Sequence, residues 1–317
     1  ARTLRLASLM ILPALLMGCE AVVLNPSGDV AAQQRDLIVV STVLMLIVVV
    51  PVMVMTVWFA WRYRQSNRDA TYAPDWEHST QLELVIWTAP LLIIIALGAI
   101  TWIGTHLLDP YRPLQRIDAE RALPADVQPL RVQVVAMDWK WLFFYPEQGI
   151  AVVNQLAAPV DRPIKFKITA TTMMNSFYIP ALAGQIYAMG GMETQLHAVI
   201  NEAGSYDGFS ANYSGAGFNG MRFKFLGMSE SNFEQWVAKV RSDGDDLSRK
   251  AYKELEVPSE YNPVHYYSKV EPGLYDAILN RCVDPGSICM KDLMSHHHRD
   301  DKAAEKSNAP SESHHAH

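Results

Sequence analysis

The stretch Leu37–Trp61, LIVVSTVLMLIVVVPVMVMTVWFAW, runs without a charge, and Leu84–Leu108, LVIWTAPLLIIIALGAITWIGTHLL, repeats the pattern with His106 as its one ionisable group. A helix crosses the ~30 Å hydrocarbon core of a bilayer with about 20 apolar residues. Both runs exceed that, so each is predicted to be a transmembrane helix. Pro51 and Pro90 lie inside these runs, which a membrane helix tolerates when neighbouring groups satisfy the freed carbonyls. Trp58, Trp61, Trp87 and Trp102 fall toward the ends of the runs, where indoles favour the membrane interface. Arg62, Arg64 and Arg68 crowd the connection at 62–83, whereas the segment 19–36 carries only Arg35 as a cation. Cytoplasmic loops are enriched in Lys and Arg. The connection is therefore expected in the cytoplasm, and the segments before and after the two helices in the periplasm.

The first eighteen residues read as a removable leader. Arg2 and Arg5 precede the apolar run Leu6–Met17, which closes on Leu16-Met17-Gly18-Cys19. That run is too short to span a bilayer, and charged start, apolar centre and small terminal residue are the parts of a secretory signal. Gly18 before Cys19 resembles the bacterial lipobox, which implies cleavage after 18 and lipid on Cys19.

Beyond Asp109 the chain passes through a linker dotted with Pro110, Pro113, Pro124 and Pro129, and its period changes. Arg131–Val135, Ile164–Ile168 and Met221–Phe225 alternate apolar with polar residues, and Gln195–Ile200 is a further candidate. Alternation marks half-buried strands. Short strands separated by glycine-rich turns, with no helical pattern between them, predict an antiparallel β-sandwich over 109–228. Helical spacing returns in the region 229–290. Ser231 and Glu234 form a predicted capping box ahead of Phe233, Trp236, Val237 and Val240. Leu247, Ala251 and Leu255 predict a second helix, and Leu274, Ile278 and Leu279 a third. The polar, histidine-rich segment 291–317 is expected to be disordered.

The chain of 317 residues has a net charge of -6. It carries no basic footprint, which excludes nucleic acid as the expected partner. Of ten histidines, six lie in the tail from His296 onward. The sandwich and its C-terminal helices hold only His197 and His265, each expected to be structural. The thiols are Cys19, Cys282 and Cys289. In an oxidising compartment Cys282 and Cys289 are expected to form a disulfide, and their spacing is not a common zinc pattern.

Three stretches carry a family resemblance. Glu83-Leu84-Val85-Ile86-Trp87-Thr88-Ala89-Pro90 resembles the start of the second helix of subunit II of the heme-copper oxidases, and Met137–Tyr145 is similar to that subunit's aromatic segment. Met174–Pro180 and Tyr206–Met221 occupy the places of its two copper-binding loops. With the lipobox and the Ser-Glu-Tyr-Asn stretch at Ser259–Asn262, the likeness is strongest to the cytochrome bo-type ubiquinol oxidase branch. The resemblance implies two transmembrane helices, a cupredoxin-like antiparallel β-sandwich and C-terminal helices.

In the cytochrome c oxidase branch the binuclear copper centre takes histidine, two cysteines, a glutamate carbonyl, a second histidine and methionine. Here Asn175 stands at the first histidine, Phe209 and Tyr213 at the cysteines, Ala211 at the glutamate and Gly217 at the second histidine. Met221 is the one relic, displaced by a position. A mixed-valence copper site needs soft thiolate and imidazole donors, so no metal or other cofactor is expected in this chain and no cytochrome c as its partner. The resemblance further implies ubiquinol oxidation and dioxygen reduction in subunit I, which carries hemes and copper, coupled to proton pumping. This chain, not itself catalytic, would sit in the inner membrane with subunits I, III and IV. Glu83 would mark the opening of a proton pathway, and Trp139, Trp141, Phe143 and Phe144 would pack against subunit I. The competing reading is a stand-alone envelope lipoprotein that binds metal through the His, Met and Cys residues of its C-terminus.

Overall fold

The computed structural model describes residues 21–71 and 73–293. The predicted leader, Cys19 and the tail from 294 lie outside them. The described chain forms two compact units.

In the first unit, helix α1 spans Asp29–Arg62 and helix α2 spans Thr80–Leu107. Both exceed the predicted apolar runs at their N-termini, so 29–36 and 80–83, expected outside the spans, are helical. The reason is local. Asp29 opens α1 and Glu83 lies in the first turn of α2, where a negative charge is stabilised by the helix dipole. At 1.5 Å per residue the helices measure roughly 50 and 40 Å, and both are long and apolar enough to cross a membrane. Pro51 and Pro90 are accommodated inside them. The hydroxyls of Thr56 and Thr105 donate to the carbonyls of Val52 and Thr101, which satisfies them without water. The two helices touch where a Cβ on Gly104 would stand 3.3 Å from the Leu37 side chain.

The second unit is a sandwich of two sheets. Its strands are β1 (Leu130–Met137), β2 (Lys140–Tyr145), β3 (Ile150–Val153), β4 (Gln155–Pro159), β5 (Ile164–Ala170), β6 (Asn175–Tyr178), β7 (Ile186–Ala188), β8 (Thr194–Ala198), β9 (Gly204–Ser210), β10 (Arg222–Met228), β11 (Asp245–Leu247) and β12 (His265–Val270). One sheet runs β11-β12-β3-β2-β1-β5-β8 and the other β4-β10-β9-β6-β7. The expected sandwich forms with most strand pairs antiparallel, while β1 and β5, β4 and β10, and β11 and β12 pair in parallel. Alternation specifies which face a residue takes but not the direction of its neighbour. The region 229–290, read as carrying three helices, holds strands as well. β11 and β12 lie there, and β12 extends the first sheet by pairing antiparallel with β3.

Three helices complete the unit: α3 (Glu230–Asp243), α4 (Arg249–Glu256) and α5 (Leu274–Leu279). The cap of α3 is Ser229, whose hydroxyl accepts from the Asn232 amide, and not the predicted Ser231. Strand β10 ends at Met228, so the helix starts two residues earlier than the box implied. Phe233, Trp236, Val237 and Val240 form its buried face, as their spacing requires. Ser248 caps α4 through the Ala251 amide, placing Leu247 in β11 instead of the helix. The predicted disorder from 291 starts too early, because the amides of Asp292 and Leu293 donate to the Cys289 carbonyl in a closing turn.

Strand β2 organises the core, with all six residues buried. Side chains alternate across a sheet. Trp141 and Phe143 point between the sheets, where Phe177 and Phe223 stack at 5.5 Å and both contact Trp141 and Phe143. Leu142 and Phe144 point the other way, into a cluster with Tyr252, Leu274, Tyr275 and Ile278 contributed by α4 and α5. A strand covered on both faces reads as a continuous apolar run. Strand β2, Lys140–Tyr145, is therefore core. Trp141, Phe143 and Phe144 do not line an outer surface, so the expected packing of these three against another subunit is incorrect; only Trp139 of the four is partly exposed.

Candidate functional site

The two loops that the resemblance assigns to copper come together at one end of the sandwich. Asn175 opens β6 and is buried. Its side-chain oxygen accepts from the Ser210 hydroxyl at 3.0 Å, and its amide donates to the Met173 carbonyl at 3.1 Å. The Ser176 amide donates to the same Ser210 hydroxyl at 3.3 Å, the Ala211 amide donates to the Ser176 carbonyl at 2.9 Å, and Asn212 donates to the Met174 carbonyl at 3.1 Å. A hydrogen-bonded lattice of neutral groups joins the loops.

Of the remaining ligand positions, two carry rings, one a buried methionine and one no side chain. Phe209 packs edge-on against Tyr178 at 5.4 Å, with the Arg222 guanidinium over its face at 5.6 Å. Tyr213 is 74% exposed and meets the Phe218 ring at 5.6 Å. Met221 is buried. Gly217 is buried beneath Trp139: a Cβ there would stand 2.4 Å from the indole and 2.7 Å from the Glu260 side chain. Trp139 reaches this place from a left-handed backbone conformation (φ 66°) in the β1–β2 turn, and its indole N–H donates to the Ser214 carbonyl at 3.0 Å. None of Asn175, Phe209, Ala211, Tyr213, Gly217 and Met221 offers the thiolate or imidazole that a binuclear copper group demands, and the space above Gly217 is filled by indole. The residues present do not fit that group.

Sequence reasoning missed the part played by the Ser259–Asn262 stretch and Lys140. Lys140 is buried, yet its ammonium donates to the Val257 carbonyl at 2.8 Å and the Ser259 hydroxyl at 2.5 Å. Burial lowers its pKa below the ordinary value, against the opposing charge of Asp138. Ser259 donates to Asn262, whose carbonyl accepts from Asn154, and Asn154 in turn accepts the Trp141 amide. This chain of polar contacts pins the 257–262 loop over Trp139 and Gly217. The signal was a lysine inside an otherwise apolar strand.

Elsewhere, Cys282 and Cys289 are joined in a disulfide at a Cα separation of 4.9 Å, so neither is a thiolate donor. His197 is buried on β8, opposite Lys165, and His265 on β12 lies 3.2 Å from Asp245. Among the described residues no group of three or more His, Cys, Asp or Glu could hold a metal. Glu83 sits in the first turn of α2, and its carboxylate lies 2.5 Å from His78 Nδ1.

The family description "Cytochrome C oxidase subunit II, periplasmic domain" matches residues 142–224, and "COX Aromatic Rich Motif" matches residues 241–286. Fold and site thus define a subunit II with a cupredoxin-like domain. The cytochrome bo(3) ubiquinol oxidase subunit 2 of Pseudomonas putida is 52% identical over 267 residues, covering 84% of this chain and 82% of that protein. The ubiquinol oxidase subunit 2 of Acetobacter aceti is 53% identical over 265 residues, 84% of each. Among solved structures, the periplasmic domain of cytochrome oxidase subunit II of Bradyrhizobium japonicum aligns with 37% of this chain and 94% of its own, at 20% identity and a TM-score of 0.34. The chain belongs to the cytochrome bo(3) ubiquinol oxidase subunit 2 family.

Proposed function

We propose that this chain is the copper-free, non-redox subunit II of a proton-pumping ubiquinol oxidase of the bacterial inner membrane. It is anchored by α1, α2 and lipid on Cys19, with its sandwich in the periplasm and subunits I, III and IV as partners. Ubiquinol delivers electrons to the hemes and copper of subunit I, because the sandwich offers a soluble cytochrome no redox centre at which to donate. Glu83, on the cytoplasmic side, collects protons for subunit I. One observation carries the reading: the ligand positions hold Asn175, Phe209, Ala211, Tyr213 and Gly217, with the Trp139 indole seated on Gly217. The membrane role rests on the two long apolar helices.

The test is metal analysis and intact mass of the purified complex after copper loading. The expected result is no copper beyond that held with the hemes, no intense thiolate band in the visible spectrum, and a subunit beginning at a lipid-modified Cys19. Additional stoichiometric copper with such a band would overturn the copper-free reading, and an unmodified chain retaining residues 1–18 would remove the lipid anchor.

A further inference from the structure

The carboxylate of Glu83 has a partner that its proposed role does not require. His78 lies five residues earlier, just before the extended Ser79 that precedes α2. Its Nδ1 stands 2.5 Å from Glu83 Oε1, and its Nε2 stands 3.2 Å from the Thr80 hydroxyl. Both side chains are open to water, His78 by 66% and Glu83 by 42%. Among the described residues Glu83 is the one charged group in ion-pair contact with the ring; Asp75 and Glu77 precede it on the loop without pairing with it.

We propose that His78 is a relay that passes protons from water to Glu83. The inference rests on the reading of Glu83 as the proton collector. The geometry assigns the protons. A neutral imidazole carries one N–H, and the bond a ring nitrogen makes decides which nitrogen holds it. A carboxylate accepts only, so the proton is on Nδ1 and the lone pair on Nε2 faces the Thr80 hydroxyl, which donates to it. A proton from water then adds at Nε2, Thr80 turns its hydroxyl away, and the imidazolium releases its Nδ1 proton to Glu83 Oε1. One proton enters and one leaves. The ring is left protonated at Nε2 and resets by exchange with water once Glu83 has passed its proton inward.

A purely structural contact, an imidazole holding a carboxylate at a helix start, predicts something different. Glutamine at 78 keeps an N–H for Glu83 but cannot gain one proton while losing another. Turnover of the whole oxidase complex at saturating quinol and oxygen should be measured from pH 5.5 to 8.5 for the wild type, His78→Gln, His78→Ala and Glu83→Gln, with heme content as the check on assembly. A positioned acid–base group supplies roughly 10²-fold or more, but water also reaches this half-exposed carboxylate. The expected loss in both His78 variants is therefore about three- to tenfold near neutrality, shrinking toward pH 5.5 and recovered by added imidazole. Slowed Glu83→Gln with His78→Gln matching the wild type at every pH would overturn the relay alone. Wild-type turnover in Glu83→Gln would overturn the Glu83 reading and the relay with it.

Discussion

The loop end of the sandwich and the first turn of α2 are both places where the family resemblance points to chemistry, and they are built in opposite ways. At the loop end the ligand positions carry no thiolate or imidazole and the place above Gly217 is filled: Asn175 is tied to Ser210, and Trp139 lies on Gly217 beneath the 257–262 loop. At the start of α2 two titratable groups touch each other and remain open to water. In the proposed reading the first place serves as packing, whereas the second, which would handle protons, is open to water. Substitutions at the first should therefore be read in stability and those at the second in turnover.

The largest effect that would sharpen this contrast is expected from Phe143→Ala. Phe143 is fully buried between the sheets, against Phe177 and Phe223. Truncating a core phenylalanine costs about 3–5 kcal/mol. Denaturant unfolding of the sandwich should show that loss, and a change below 1 kcal/mol would mean that the sheets are not joined through this ring.

A smaller effect follows from restoring one family ligand. Gly217→His must displace the Trp139 indole and the Glu260 side chain, an overpacking worth about 1–3 kcal/mol. Adding Trp139→Ala should recover part of that loss, giving a non-zero coupling in a double-mutant cycle. Strictly additive effects would show that indole and glycine do not interlock. Neither single change should create copper binding, since one imidazole without thiolates leaves the site incomplete.

The smallest expected effect is a pH dependence from Lys140. Burial lowers its folded-state pKa below the ordinary 10.5. Between the two values the unfolded chain binds more protons, so stability rises with pH across that window, and the penalty for holding the charge is fully present below it. Lys140→Met should flatten this rise while roughly preserving side-chain volume. Unfolding midpoints at pH 7, 8.5 and 10 would check it; identical slopes for the two proteins would remove the buried ammonium as the cause.

Much of this was legible in advance where a short-range pattern reports a local preference. Uncharged runs longer than a bilayer named α1 and α2, and alternation named β1, β5, β8 and β10. The face Phe233, Trp236, Val237, Val240 identified α3, although its cap lay two residues earlier, at Ser229. The aromatic stretch was misread because a strand covered on both faces and an exposed aromatic patch have the same composition. Only the helices α4 and α5, more than a hundred residues later, bury Phe144. His78 and Glu83 were missed as a pair because a contact across a helix start has no periodicity.

The amino-acid sequence by itself determined that this is a membrane-spanning subunit II whose copper loops lack soft donors, because bilayer span is a matter of run length and metal affinity a matter of residue type. Only the tertiary structure decided what fills those loops, which strands run parallel, and that β12 joins the first sheet. Those outcomes depend on contacts between residues far apart in the chain, whose partners are chosen by shape and polar satisfaction once the elements meet.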